Sequence, residues 1–318
     1  MRIIPRVAAL LLAATCAAGL VTAVPGPASA AAATPVGGPA MGTLTTLRSP
    51  GSALLPAGVK ARSFIVADLT TGAVYAARRP HEKLAPASTL KTLTTLTLLH
   101  NVPLNRGVKM TSKVRGAECS CVGLYNNRTY LMDDLLHAVL MRSGNDAAEL
   151  AAMGTGSRAR TLKLMNDLAK NLQARDTQAM TPSGLPALRQ TSSAYDLALI
   201  NRAAFADPRF QRVITARTHM FGPVRAQTKK LVTQNELYHL KYRGQLGSKN
   251  GWTTASKQTF VAVAKRGNRT LLVTLMYNET GIAKQAAQLL DWGFALGPNP
   301  QPLGTLVDPK TPLQVPAS

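Results

Sequence analysis

Ser88 and Lys91 have side-chain types and a spacing that favour nucleophilic chemistry. Pro86 precedes them at the start of a helix-like stretch, and residues three apart on a helix lie on one face with their side chains in reach. If burial lowers the pKa of Lys91, its neutral amine accepts the hydroxyl proton and makes Ser88 a nucleophile. The alternative is a helix-capping Ser beside an ordinary surface Lys, which is the usual situation for an isolated Ser-x-x-Lys. Against it, no other Ser of the chain has a Lys three residues later.

Two further short segments have polar residues that could act on the same substrate. Ser143-Gly144-Asn145 follows an apolar helix-like stretch and predicts a tight loop that presents a hydroxyl and an amide. Lys249-Asn250-Gly251 ends a strand-like run, where the glycine lets a ligand approach the backbone. Each segment by itself also fits a structural role, a helix cap for the first and an Asn-Gly hairpin turn for the second.

Taken in order, the three segments resemble the S-x-x-K, S-x-N and K-T-G signature of the penicillin-recognising serine enzymes, which act through an acyl-enzyme. Segments 140–148, 181–185 and 289–294 are further similar to the secreted D-alanyl-D-alanine carboxypeptidases of the low-molecular-weight penicillin-binding group. The resemblance extends from about residue 60 to about residue 296.

This resemblance implies roles for individual residues. The catalytic set is expected to be Ser88 as nucleophile, Lys91 as its general base and Ser143 as a proton relay. The backbone N–H groups of Ser88 and Trp252 are expected to form the oxyanion hole, and the Lys249 cation to face the terminal carboxylate of the substrate. The residues expected to bind substrate are Asn145, Lys249, Asn250, Gly251 and Trp252.

Two departures from the family pattern concern that carboxylate. Asn250 takes the place of the family's Thr and lacks its hydroxyl, although the Asn amide can donate a hydrogen bond instead. Segment 278–283 lacks the Arg that several relatives have nearby, and Lys284 is the nearest cation in the sequence. We therefore expect weaker or altered substrate binding.

The elements that must position these residues change from strand-like to helix-like and back along the chain. Runs 63–69 and 73–78 predict one hairpin, and runs 258–265 and 270–277 predict another. Strands from both ends that enclose a helical block indicate an α+β fold, an antiparallel five-stranded sheet flanked by helices with an inserted helical subdomain. The resemblance likewise implies a β-lactamase/transpeptidase-like fold. A fifth strand is predicted at 246–249, and helices at 88–100, 132–141, 146–153, 157–173, 193–205 and 282–294.

Both ends of the chain are expected to lie outside this domain, which spans residues 61–297. Residues 1–30 have two Arg, an apolar run and a small-x-small motif, which is typical of a cleaved signal peptide, with a membrane anchor as the alternative. Residues 31–60 predict a flexible leader, and the Pro-rich residues 298–318 an extended, unpacked tail. We therefore expect a protein secreted to the cell envelope.

The charge of the chain narrows the choice of partners. Its 37 Lys and Arg against 15 Asp and Glu give a formal net charge of +22 at pH 7, which favours anionic partners. In a secreted protein these are anionic wall polymers and peptidoglycan stem peptides. The cations are scattered and few aromatic residues lie between them, so we expect no nucleic-acid binding. The resemblance adds β-lactam antibiotics as covalent inhibitors.

The cysteines and histidines indicate no metal centre. Cys119 and Cys121 remain once the signal peptide is removed, and the oxidising surroundings of an exported protein favour a local disulfide between them. The five His residues show no paired spacing, so we expect neither a metal nor a cofactor.

Our first hypothesis is a serine-type carboxypeptidase that releases the terminal D-Ala of stem peptides through an acyl-enzyme on Ser88. Two alternatives stay open. A class A-like β-lactamase needs a Glu for deacylation, and no Glu-x-x-Leu-Asn stretch lies between Asn145 and Lys249. A catalytically weak wall-binding protein would keep the pocket and lose turnover through Asn250.

Overall fold

The computed structural model describes residues 34–111 and 118–313. The predicted signal peptide, residues 1–30, lies outside the described residues, as do residues 314–318 of the predicted tail. Within the described ranges, no helix has the length and apolar character needed to span a bilayer.

Eleven strands in the described residues form one large antiparallel sheet and two small two-stranded sheets, β4-β5 and β6-β7. The sheet has the strand order β1-β3-β2-β10-β9-β8, and β11 also pairs with β3. The strands are β1 (Thr46–Arg48), β2 (Ser63–Asp68), β3 (Ala73–Arg78), β4 (Gly107–Lys109), β5 (Thr129–Leu131), β6 (Thr218–Phe221), β7 (Lys229–Val232), β8 (Gln245–Thr253), β9 (Lys257–Arg266), β10 (Arg269–Asn278) and β11 (Gly304–Thr305).

The predicted α+β fold with an antiparallel sheet is confirmed, but the strand count is not. The five predicted strands form the consecutive set β3-β2-β10-β9-β8, with both predicted hairpins in place. Two more strands, β1 and β11, pair with β3 on the edge away from β2, so the sheet has seven strands. An unpaired edge exposes backbone N–H and C=O groups, and these two short strands cover it.

Both terminal segments therefore differ from the prediction. Residues 31–60 were expected to be a flexible leader, yet in the described part, residues 34–60, Met41 is completely buried and the Ser49 N–H donates to the Tyr75 carbonyl at 2.7 Å. The tail was expected to be unpacked, yet Leu306 is buried and its N–H donates to the Gly72 carbonyl at 2.7 Å. Composition misled the prediction because these segments bury few side chains and pack mainly through backbone pairing.

Helices cover both faces of the sheet, and the six predicted helices are present within three residues of their expected ends. Two further helices, α6 and α7, were not predicted: both are short, although Phe210, Val213 and Ile214 of α6 do have the spacing of a helical apolar stripe. The helices are α1 (Lys91–Asn101), α2 (Met132–Met141), α3 (Asn145–Ala152), α4 (Arg158–Asn171), α5 (Ala194–Phe205), α6 (Pro208–Thr215), α7 (Glu236–His239) and α8 (Ile282–Ala295).

The strand β2 shows how the sheet separates two cores. All six of its residues are buried, and successive side chains of a strand point to opposite faces. Ile65 and Ala67 pack in the larger core with α1, α2 and α5, whereas Phe64 and Val66 pack in the smaller core under α8. The helical block therefore lies on one face of the sheet and α8 on the other. The strand β8 forms one edge of the sheet and lies beside the start of α1.

Candidate active site

Ser88 and Lys91 meet at the start of the buried helix α1. Ser88 lies in a short 3-10 turn, Ala87–Leu90, which leads directly into α1, and Lys91 is its first residue. The Lys91 side chain is completely buried, and its Nζ lies 2.7 Å from Ser88 Oγ. Two more oxygens lie at 2.7 Å from this Nζ, Asn145 Oδ1 and the backbone carbonyl of Ser183.

These three contacts fit a charged amine, which can donate to all three oxygens, and they also accommodate a neutral one. The Asn145 Nδ2 donates to the Glu118 carbonyl, so the Asn145 Oδ1 faces Lys91. This amide oxygen and the Ser183 carbonyl oxygen can only accept hydrogen bonds from Lys91. A neutral amine has two N–H donors, and these two acceptors use both. Its lone pair then faces the hydroxyl of Ser88, which can donate its proton to it.

Burial is the main reason that Lys91 can be neutral. It lowers the pKa of the Lys91 amine well below its usual value, and the nearby Lys249 lowers it further. The carboxylates of Glu149 and Asp146 act in the opposite direction. The site therefore provides a base next to a hydroxyl, the arrangement that activates a serine nucleophile.

The second predicted segment forms the turn between α2 and α3. Ser143 is buried with a left-handed backbone, φ +56°, which costs a non-glycine residue about 1–3 kcal/mol and which surrounding structure must hold in place. Asn145 is the first residue of α3, and its backbone N–H donates to the Ser120 carbonyl at 2.6 Å. The turn thus directs Ser143 towards Lys249 and Asn145 towards Lys91.

The third segment lies in β8, where Lys249 is buried beneath the cleft. Its Nζ donates to Ser143 Oγ at 3.0 Å and to the Asn250 carbonyl at 2.7 Å. Burial lowers the pKa of Lys249 to about 7, and the carboxylate of Glu236 opposes that shift. Two hydrogen-bonded pairs, Ser88 with Lys91 and Ser143 with Lys249, therefore lie near each other, although Ser88 and Lys249 are more than 150 positions apart in the sequence.

Gly251 explains how closely β8 approaches the serine. A Cβ atom at Gly251 would lie 2.7 Å from the Ser88 backbone nitrogen and 2.5 Å from Thr259 Oγ1. The Thr259 hydroxyl donates to the Pro86 carbonyl at 2.9 Å, so β9 also holds this turn. Only glycine leaves room for the strand to pass beside the N–H of Ser88.

A cleft of about 510 Å³ opens above these groups. Lys91 and Lys249 lie below its floor, and the Trp252 indole, 65% exposed, stands at its rim. Predicted site residues that line the cleft are Ser88, Ser143, Asn145, Asn250, Gly251 and Trp252. All eight predicted site residues therefore lie at or directly beneath one cleft.

A disulfide joins Cys119 to Cys121, as predicted, at the side of the same cleft. Cys119 and Ser120 line the cleft, and the carboxylate of Asp146 accepts the backbone N–H groups of Val122 and Gly123 at 2.9–3.1 Å. The segment is thereby attached to the first turn of α3, next to Asn145.

Sequence reasoning assigned no role to Ser183, Gly184 and Glu236. The first two lie in segment 181–185, whose family resemblance was the signal in the sequence that could have identified them. Gly184 lies close to the turn that carries Ser88, because a Cβ at this position would lie 1.9 Å from the Ala87 carbonyl oxygen. No local pattern singled out Glu236. Lys284, the expected nearby cation, lines a separate hollow with Glu236 and His239.

Folding also brings His residues next to carboxylates that are distant in sequence. His81 Nδ1 lies 2.7 Å from Asp176 Oδ2, with Asp196 close by, and His219 Nε2 lies 2.7 Å from Asp134 Oδ1. The ring of His219 stacks on that of His137 with centroids 3.8 Å apart. None of these residues lines the cleft.

Comparison with known sequences identifies similar proteins along most of the chain. The family model described as D-alanyl-D-alanine carboxypeptidase, peptidase S11, matches residues 51–280. The D-alanyl-D-alanine carboxypeptidase DacB2 of Mycobacterium tuberculosis is 41% identical over 258 residues, which cover 78% of this chain and 87% of that protein. The D-alanyl-D-alanine carboxypeptidase DacF of Bacillus subtilis is 29% identical over 249 residues, which cover 74% of this chain and 62% of that protein.

Solved structures agree with the sequence comparison. A crystal structure of a D-alanyl-D-alanine carboxypeptidase from Mycobacterium tuberculosis superposes with a TM-score of 0.77 at 39% identity, covering 81% of this chain and 99% of that one. Penicillin binding protein 5 from Haemophilus influenzae superposes with a TM-score of 0.69 at 26% identity, covering 76% and 73%. The α+β arrangement described above is therefore the fold of these enzymes.

Proposed function

The chain belongs to the D-alanyl-D-alanine carboxypeptidase family, peptidase S11, and on that premise we propose that it removes the terminal D-Ala from peptidoglycan stem peptides through an acyl-enzyme on Ser88. One observation supports the proposal above all others. The Lys91 Nζ lies 2.7 Å from Ser88 Oγ, and its other two partners leave its lone pair for the serine proton.

In the proposed acylation step Lys91 accepts the hydroxyl proton as Ser88 Oγ bonds to the carbonyl carbon of the penultimate D-Ala. The bond to the nitrogen of the terminal D-Ala breaks, and that nitrogen takes a proton delivered through Ser143. The N–H groups of Ser88 and Trp252 are the proposed oxyanion donors, each typically worth about 3 kcal/mol in acyl transfer. Water then hydrolyses the ester and restores Ser88.

The substrate carboxylate is proposed to bind above Lys249. In its protonated form Lys249 is a buried cation directly below Asn250 and the cleft, so it attracts the free carboxylate that distinguishes a terminal D-Ala from an internal residue. Asn145, Gly251 and Trp252 are proposed to hold the peptide along β8. β-Lactams carry a carboxylate beside a reactive amide, and we propose that they acylate Ser88 in the same way.

The proposed place of action is the cell envelope. Residues 1–30 have the pattern of a signal peptide, and the remaining chain has a net charge of +20, which favours attraction to anionic wall polymers. The attraction is expected to weaken as ionic strength rises, because surface charges are screened over about 8 Å at physiological salt.

Labelling with a fluorescent penicillin and release of D-Ala from a stem-peptide mimic test the proposal. Wild-type protein is expected to do both, and Ser88→Ala to do neither. Ser52→Ala, which removes a hydroxyl beside β1 that does not line the cleft, is the matched control. Labelling without D-Ala release would indicate the weak wall-binding alternative, and rapid penicillin turnover the β-lactamase alternative. Full activity of Ser88→Ala would overturn the assignment of the nucleophile.

A further inference from the structure

Two backbone carbonyls beside the disulfide hold Asn145 in the cleft. Asn145 is the first residue of α3, so its N–H has no acceptor within the helix. It donates instead, at 2.6 Å, to the carbonyl of Ser120, the residue between the two cysteines. The carbonyl of Glu118, which precedes Cys119, accepts the side-chain Nδ2 of Asn145. One short segment, residues 118–121, therefore binds Asn145 at both its backbone and its side chain.

The Glu118 carbonyl decides which way the Asn145 amide points. A carbonyl oxygen only accepts hydrogen bonds, so it selects the NH2 group of Asn145 and turns the Oδ1 towards the Lys91 Nζ, 2.7 Å away. The reverse orientation would place two oxygens against each other at Glu118 and an N–H donor against the Lys91 amine. Asn145 therefore holds Lys91 only while this carbonyl stays in place.

The disulfide fixes the two carbonyls relative to each other. Residues 118–121 are exposed, so burial does not hold this segment against the protein. Just beyond it, the carboxylate of Asp146 accepts the backbone N–H of Val122 at 3.0 Å, which anchors one end. The bridge closes a small ring around the residue between its cysteines and restricts rotation of the backbone there. Without the bridge, the segment would have to be ordered by its hydrogen bonds alone.

We infer that the Cys119–Cys121 disulfide is a positioning element of this active site: it fixes the two carbonyls that hold Asn145, and Asn145 in turn holds Lys91 and the substrate peptide. This inference rests on the proposed function, in which Lys91 is the base and Asn145 contacts the substrate. Since the bridge is exposed, it is accessible to reductants, and its reduction should loosen Asn145.

Reduction of the bridge in the exported protein is the direct test, because Cys119 and Cys121 are its only cysteines once residues 1–30 are removed. A water-soluble trialkylphosphine donates two electrons that break the S–S bond to give two thiols, and it takes up the oxygen of a water molecule. Acylation of wild-type protein by a fluorescent penicillin should then become about ten- to hundredfold slower, the usual effect of a small misplacement near reacting groups. Reoxidation should restore the rate.

Cys119→Ser/Cys121→Ser is the matched control for the reductant. It has no bridge, so it should be acylated as slowly as reduced wild type and should not respond to the phosphine. Asn145→Ala separates positioning from general stabilisation, because it has no side chain to orient. Reduction should change its acylation rate by about twofold or less, since the effects of coupled residues are not additive. A disulfide that only stabilised the fold would slow both proteins equally.

Hydrogen exchange provides a readout that does not depend on activity. The Asn145 amide should exchange at least about tenfold faster after reduction, because its acceptor is the Ser120 carbonyl. The Ala148 amide, which donates to the Gly144 carbonyl at the start of the same helix, should keep its rate.

The inference is overturned if reduction leaves the acylation rate or the Asn145 exchange of wild type unchanged, or if it slows Asn145→Ala as much as wild type. If oxidised wild-type protein forms no penicillin adduct and releases no D-Ala, the proposed function itself fails. The two failures are distinguishable, because the first requires an active oxidised protein that is indifferent to the bridge.

Discussion

At the scale of single residues, the proposed mechanism gives the same side-chain type two opposite tasks. Lys91 and Lys249 are both buried and both have lowered pKa values, but their partners differ. Lys91 contacts the neutral groups of Asn145 and Ser183 and is further disfavoured as a cation by Lys249, which suits a base. The carboxylate of Glu236 raises the pKa of Lys249 against the effect of burial, which favours the charged form of Lys249. Such separation of neighbouring titratable groups is how one site provides both a base and a charge at one pH.

Replacing Lys91 tests this division of tasks. Lys91→Met has a similar volume and no base, so acylation by penicillin is expected to be about 10²- to 10⁴-fold slower, the usual contribution of general base catalysis. The measurement is the second-order rate constant for formation of the adduct on Ser88, with near-UV circular dichroism as the check that the variant is folded. Acylation within a few-fold of wild type would show that Lys91 is not the base.

At the scale of elements, the site exists because three different types of element meet at one place. The 3-10 turn before α1 carries Ser88, the left-handed turn before α3 carries Ser143, and the edge strand β8 carries Lys249. The turn and the strand approach so closely that Gly251 is required between them. The catalytic geometry thus depends on the distance between α1 and β8.

Gly251→Ala should therefore act on both stability and chemistry. The added methyl group overlaps the Ser88 nitrogen and Thr259 Oγ1, and overpacking of this kind typically costs about 1–3 kcal/mol. Because β8 must move away from Ser88, we also expect penicillin acylation to be at least about tenfold slower. Urea unfolding and the acylation rate measure the two effects.

Gly297→Ala is the control for that variant, because a Cβ there would meet no atom within 4 Å. It should leave both the unfolding midpoint and the acylation rate unchanged. A Gly251→Ala variant that acylates at the wild-type rate would show that the close approach of β8 does not position the serine.

At the scale of the whole molecule, burial of two amines makes stability depend on pH. The pKa of Lys249 is about 7 in the folded protein, whereas an unfolded Lys has a pKa of about 10.4. Between these values the unfolded chain binds more protons, so the free energy of unfolding rises with pH, by at most about 1.4 kcal/mol per unit for one group. Burial raises the pKa of Asp196 to about 7. This group lowers the free energy of unfolding as the pH rises, but only below about pH 7.

We therefore expect the wild-type protein to be more stable at pH 9.5 than at pH 7.5 in urea unfolding, by up to about 3 kcal/mol from Lys249 and by a further amount from Lys91. Lys249→Met has no amine to titrate at this position, so the gain should be smaller, and what remains should come from Lys91. Equal gains in the two proteins, or a loss of stability with rising pH in wild type, would contradict this account of the buried lysines.

Local patterns in the sequence were enough to identify the central elements and the three motifs. The strands β2, β3, β9 and β10 are short runs rich in apolar residues that are bounded by turn residues, and the six longer helices have apolar stripes, so each element is marked by a local pattern. The motifs around Ser88, Ser143 and Lys249 are likewise short and contiguous. The type of chemistry could therefore be predicted before any residue was placed in space.

Only the tertiary structure decided which residues complete these parts. The strand β1 was taken for part of a flexible leader and β11 for part of an extended, unpacked tail, because backbone pairing with the edge of β3 leaves no apolar period in their own sequence. Glu236 and the Ser183 carbonyl were missed because they act on lysines that lie 13 and 92 residues away. Whether an amine is neutral or charged follows from its burial and from its partners, and both arise only when distant parts of the chain pack together.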